Sequence, residues 1–201
     1  MVNITASMVA NLRAKTGMGM MECKKALVEV EGDMMGAEDI LRIKSGSKAS
    51  KLASRRATEG IVVLCINQQL GVLVEVNCET DFVGRSEAFR KFAHEVALQI
   101  AASFPLYIRE EDIPAAVIQH EEAIATAKAK EEGKADNLLP RIVEGSIKKY
   151  KNEMVLLRQV YIRDENLTIE QLLNQTIAAT GENIVIRRFV RYGLGEVNSA
   201  E

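Results

Sequence analysis

Apolar positions at the start of the chain recur at helical spacing. Ile4, Met8, Val9 and Leu12 share one face around Thr5, a strong N-cap residue, and predict a first helix. Gly17 and Gly19 follow Thr16, where a helix ends and the backbone reverses. Met21, Cys23, Ala26, Leu27 and Val30 predict a second helix, stopped by Gly32. Asp33 then caps a third, whose inward face is Ala37, Ile40 and Leu41, with Lys44 next on the same line. Three helices within residues 1–44 make a minimal bundle with a thin core, a module suited to binding.

Residues 44–58, KSGSKASKLASRRAT, carry Lys44, Lys48, Lys51, Arg55 and Arg56 and no acid. The stretch 45–58 reads as a solvated basic linker able to turn helical; docking to an acidic partner or to RNA is the alternative. From Glu59 the period changes to two. IVVLCI (61–66) and GVLVEVNC (71–78) predict a hairpin turning at Asn67–Leu70, followed by a turn in ETDFVGRS. A helix over about 86–103 follows, with Phe89, Phe92, Ala93, Val96, Ala97 and Ile100 on one face. Residues 111–152 are polar and helical, broken at Pro114, Gly133, Pro140 and Gly145. MVLLRQVYI (154–162) predicts a strand, LTIEQLLNQTIAAT a helix opening at Thr168, and NIVIRRFVRYG a closing strand. In that last strand Ile184, Ile186, Arg188 and Val190 alternate against Val185, Arg187 and Phe189. Residues 59–201 are therefore an α+β core of antiparallel strands packed with helices.

Composition narrows the function more than the fold. With 201 residues, 47% hydrophobic and 27% charged, the chain can bury a core without disulfides or metal, and wholesale disorder is excluded. Aromatics are 4% with no Trp, so that core is aliphatic, with eight Met to fill gaps. A net charge of −2 argues against a dedicated nucleic-acid binder, so no direct nucleic-acid partner is expected. Cys23, Cys65 and Cys78 show neither CxxC nor zinc-finger spacing and read as reduced thiols. The N-terminus lacks the apolar run of a signal peptide, and no stretch approaches ~18 consecutive apolar residues. A cytoplasmic protein with no membrane contact is expected.

Motifs of catalysis are missing. His94 lies in FAHEVAL, which is not HExxH, and His120 sits among charges. GxSxG, a Walker loop and GxGxxG opening a helix are absent, and the two SxxK matches stand without companions. Glu75, Glu79 and Asp81 cluster at a strand end, where acids are more often capping or solvated than metal ligands. The reading is not an enzyme, with no cofactor. Phe82 and Val83 in the neighbouring turn are either local core or an exposed anchor for a partner's pocket, and composition leaves both open.

ITASMVANLRAKTGMGMMECKKALVEVEGD (4–33), VEVNCETDFVGRSEAF (74–89) and ENIVIRRFVRYGLGE (182–196) together resemble the bacterial elongation factor Ts family. The combination of TGxGMM with TDFV is specific, and the resemblance spans nearly the whole chain at the length of the family's short form. It implies a UBA-like N-terminal bundle and a guanine nucleotide exchange activity on elongation factor Tu. By motif match Arg13, Met20 and Met21 would dock on the GTPase's nucleotide domain. Thr80, Asp81, Phe82 and Val83 match the TDFV turn, whose Asp-Phe pair inserts near the magnesium side of the nucleotide site. Met18 stands where the family often has a small residue. Longer members carry a second core subdomain and a protruding helical hairpin, neither of which is found in the sequence; a homodimer would restore a second contact surface.

Overall fold

The computed structural model describes residues 4–196. Its helices and strands, in chain order, begin with α1 (Ala6–Thr16), α2 (Met20–Glu29), α3 (Met34–Leu52), β1 (Glu59–Ile66) and β2 (Leu70–Cys78). There follow α4 (Asp81–Arg85), α5 (Glu87–Ser103), α6 (Ala115–Glu131) and α7 (Leu139–Met154). The chain closes with β3 (Val160–Tyr161), β4 (Asp164–Thr168), α8 (Ile169–Thr180) and β5 (Val185–Gly193). These helices and antiparallel strands make an α+β protein divided into two compact units, one of Gln99–Ile169 and one of the remainder.

In the larger unit the bundle forms where local chemistry dictates. Thr5 caps α1, its hydroxyl accepting from the Met8 amide at 3.2 Å, and Gly17 ends it in the left-handed region at φ 67°. Asp33 caps α3 by accepting from the Met35 and Gly36 amides. Leu12, Met18, Cys23, Ala26, Leu27, Ala37 and Leu41 form the bundle core, and Ala178 of α8 packs against it. Two details differ from the sequence reading. Met21 points outward, because Cys23, Ala26 and Leu27 already fill the inner face of α2. Lys44 is exposed and Ser45 and Ala49 take the inward positions, so α3 keeps an i, i+4 stripe of small residues. That helix also runs through residues 45–52 of the basic stretch, held by Lys48 to Glu22 at 2.5 Å and Lys44 to Glu29 at 3.1 Å.

The same unit holds a sheet in the order β1-β2-β5, antiparallel throughout, with β2 central. Asn67 closes the first hairpin, its side-chain oxygen accepting from the Gln69 and Leu70 amides. The inner face of β2 buries Val72, Val74, Val76 and Cys78, and α5 buries the six apolar residues that its spacing marks. The closing strand departs from simple alternation. Glu75 faces Arg188 but Val76 faces Ile186, so Arg187 is a bulge and Phe189, not Arg188, turns inward after Ile186.

The smaller unit contains a two-helix hairpin, α6 and α7, that the sequence reading did not find. Pro140 begins α7 instead of breaking it, and Gly145 lies within the helix. Residues 154–162 are not one strand: Val155 makes an isolated bridge to Tyr107, Leu156–Arg158 form a 3-10 turn, and Val160–Tyr161 pair with β4. Val155 and Leu156 are fully buried, so a continuous apolar run marks burial here and not extension. Gln99 and Gln159 are buried but satisfied. Gln99 donates to the Gln159 side chain at 3.2 Å, Ser103 at 3.0 Å and the Val160 carbonyl at 3.1 Å.

Candidate functional site

The TDFV segment is the first turn of α4, a helix of only 5 residues. Thr80 opens it as N-cap, its hydroxyl accepting from the Val83 amide at 3.4 Å, and its carbonyl accepts from the Gly84 amide at 3.2 Å. The Cys78 thiol donates to that same carbonyl at 3.1 Å; burial pushes this thiol up from its ordinary range. The exit is fixed as well, with the Ser86 hydroxyl donating to the Val83 carbonyl at 2.7 Å.

The turn divides its side chains sharply. Phe82 is 84% exposed, Val83 is half-buried and Gly84 is buried. Of the two readings left open by the sequence, local core does not describe Phe82. Asp81 is exposed and pairs with Arg85 one helical turn away at 3.0 Å. A large exposed aromatic on a capped turn offers apolar area to a partner without contributing it to the core.

Two acidic residues tie this turn to the rest of its unit. The Glu182 carboxylate, in the loop between α8 and β5, accepts from the Glu79 amide at 3.1 Å, the Thr80 amide at 3.0 Å and the Thr80 hydroxyl at 2.5 Å. In return the Glu79 carboxylate accepts from the Asn183 amide at 2.7 Å and lies 3.6 Å from Arg55. The buried Asn183 side chain donates to the Arg55 carbonyl at 2.7 Å and the Ala53 carbonyl at 3.4 Å, just beyond α3. Sequence reading missed Glu182 and Asn183. Their signal is Gly181, which turns the chain at φ +77° before them.

The remaining acid of the strand-end cluster is engaged elsewhere. Arg188 bonds Glu75 at 2.7 Å and holds its carboxyl below the usual carboxylate range. Among the described residues no group of three or more His, Cys, Asp or Glu is placed to hold a metal ion. His94 and His120 are both exposed.

On the bundle, Arg13, Met20 and Met21 are all exposed, Met20 and Met21 at 53% and 67%. Met18, between the two glycines, is 1% exposed and belongs to the core. Thioether side chains at the surface suit a contact patch because they are flexible and polarisable. No helix among the described residues is long and apolar enough to cross a membrane.

Comparison with known proteins places the chain. A family model described as elongation factor TS matches residues 48–196. Elongation factor Ts of Thermoanaerobacter sp. strain X514 is 54% identical over 195 residues, covering 96% of each chain. That of Caldanaerobacter subterraneus subsp. tengcongensis is 52% identical over 195 residues, 96% of this chain and 98% of the relative. That of Geotalea daltonii is 49% identical over 197 residues, 97% of this chain and 91% of the relative. With a family model matching over most of its length and relatives matching nearly end to end, this chain belongs to the elongation factor Ts family of translation elongation factors.

Proposed function

We propose that the protein is a guanine nucleotide exchange factor that binds elongation factor Tu in its GDP form and speeds GDP release, working in the cytoplasm. The observation that carries this reading is Phe82, 84% exposed on a turn capped and tied at both ends. Such a residue contributes little to its own fold and much to a complex.

The mechanism follows from linkage. A factor that binds the nucleotide-free GTPase more tightly than the GDP form weakens GDP binding by the same ratio. Phe82 acts as a wedge against the side chains that hold the partner's magnesium, and Asp81 perturbs polar contacts beside it. Losing that ion removes the largest local positive charge on the phosphates. GDP then leaves faster, the abundant nucleotide rebinds, and the factor is displaced. No covalent step occurs and this chain needs no cofactor of its own. Residues 1–44 form the docking module, through Arg13, Met20 and Met21, and Thr80 and Val83 shape the turn. The basic segment 45–58 joins that module to the core of 59–201.

The test is stopped-flow release of a fluorescent GDP analogue from elongation factor Tu, with the protein and with Phe82→Ala. A hot-spot aromatic contributes about 2 kcal/mol or more, so the variant should lose roughly 30-fold in acceleration. Because Phe82 is 84% exposed, its melting temperature should stay within a few degrees of the parent. An unfolded variant, or one that exchanges at the parent rate, would contradict the wedge. A protein that binds without changing the release rate would be an adaptor.

A second copy of the chain is the other partner we propose. The outer sheet face carries Leu64, Leu73 and Val190 in one cross-strand row and Ile66, Gly71 and Tyr192 in the next. Leu64, Ile66, Leu73 and Tyr192 are all exposed, a patch that a homodimer would cover. Sedimentation equilibrium should give a dimer that Leu73→Glu dissociates; a strict monomer that exchanges at full rate would refute it.

A further inference from the structure

We infer that Glu182 is a positioning residue for nucleotide exchange: its carboxylate, bonded to the Glu79 amide, the Thr80 amide and the Thr80 hydroxyl, fixes the short helix from which Phe82 projects. The inference rests on the exchange reading above. A helix of 5 residues is far below the length that is stable alone, and Phe82, exposed as it is, cannot anchor its own backbone. Val83 and Gly84 pack inward and Ser86 fixes the turn's exit, so what sets its start is whatever reaches its N-terminus from outside. Glu182 does so from 102 residues away in sequence, with three acceptor contacts from a single carboxylate. Bonds to a charged acceptor are among the stronger hydrogen bonds a protein makes. One of them engages the Thr80 hydroxyl that also caps the helix, so losing Glu182 frees the cap to rotate.

The reciprocal contacts make the clasp two-sided. Glu79 takes the Asn183 amide, and Asn183 takes the carbonyls of Ala53 and Arg55 beyond the end of α3. The turn is thereby tied to the segment that leads back to the bundle. A wedge held in place before binding does not lose conformational freedom on entering its partner, whereas a mobile one does. Glu182 touches no nucleotide or partner atom in this account; it acts through Phe82.

The absence of Trp from the sequence allows a direct reporter, since Phe82→Trp places a single indole at the wedge. Its steady-state anisotropy should fall when Glu182→Ala is added and fall less with Glu182→Gln, which keeps the length and one acceptor oxygen. In GDP-release assays on elongation factor Tu, Glu182→Ala should lower the maximal rate about tenfold. The concentration for half-maximal effect should change by less than about twofold, since the bundle residues that govern docking are untouched. Glu182→Gln should fall between parent and Ala. In the Phe82→Ala background the Ala substitution at 182 should have a much smaller effect, because the main residue it positions is gone and only Asp81 is left on that helix to misplace.

Parent-like exchange by Glu182→Ala overturns the inference. So does the same fold-loss with or without Phe82, or an unchanged indole anisotropy. If Glu182→Ala does not fold, the Gln variant carries the same comparisons. Phe82→Ala alone separates the two layers of argument: full activity there refutes the wedge and the positioning role together. A parent protein that does not speed GDP release from elongation factor Tu refutes the function on which both rest.

Discussion

Gly60 offers the sharpest test of the sheet geometry. It lies second in β1, opposite Asn77, at φ +154°, a backbone conformation that L side chains rarely adopt. A methyl group added there would lie 2.7 Å from the Asn77 Cα and 3.0 Å from the Val76 carbonyl carbon, and nearer still to the Val76 oxygen. All three are backbone atoms of the central strand, so no flexible side chain can yield. Overpacking of this kind costs about 1–3 kcal/mol and the disfavoured φ about 1–3 more, together roughly 2–6 kcal/mol. Against a total of ~5–15 kcal/mol this is a large fraction, and at about 2–4 °C per kcal/mol it corresponds to a fall in Tm of roughly 4–24 °C. Gly145→Ala is the matched control. That glycine lies inside α7 with nothing within 4 Å of an added Cβ, so alanine should gain about 0.5–1 kcal/mol of helix propensity. Circular dichroism melts of the two variants should therefore move in opposite directions from the parent. A Gly60→Ala protein melting within about 2 °C of the parent would refute the strand register used throughout.

Two further outcomes concern the smaller unit and the bundle. Lys151 at 2.9 Å and then Arg158 hold the Glu110 carboxyl below its ordinary value of 4.5. A carboxylate lowered in the folded state stabilises above its unfolded value and loses that contribution as pH falls through the folded one. Glu110→Gln should thus lower the urea midpoint at neutral pH and match the parent well below pH 4.5; an equal deficit at both pH values would contradict the pairing. Asp33→Ala, which removes the acceptor for two amides at the start of α3, should cost about 1 kcal/mol in the same urea titration. An unchanged midpoint would mean that this cap does not hold the bundle.

Local chemistry was legible in the sequence, and pairing between distant segments was not. Thr5, Gly17 and Asp33 are capping residues by type, and the structure uses each at the predicted place. The helical face of α5 and the alternation in β2 also read directly. Arg187 and Arg188 gave no sign of which is the bulge, because that depends on the register with Glu75 and Val76. The apolar run at 154–162 looked extended because continuous hydrophobicity reports burial, and a buried 3-10 turn has the same composition as a strand. The placement of Phe82 could not be read from composition, since a phenylalanine beside a half-buried valine fits core or surface equally, and only the TDFV resemblance pointed to an exposed anchor. The tie that holds its turn was equally hidden, since Glu182 reaches Thr80 across 102 residues in sequence. The candidate site was thus legible as a motif, while the residues that hold it in place became visible only in the fold.

The central claim is differential affinity, and it is measured most directly by titrating the protein against nucleotide-free and GDP-bound elongation factor Tu under one set of conditions. An exchange factor should bind the nucleotide-free form more tightly by at least about tenfold, and its presence should weaken GDP by that same ratio. Equal affinity for the two forms would contradict the account, however tight the binding, because a ligand with no preference between two states shifts neither.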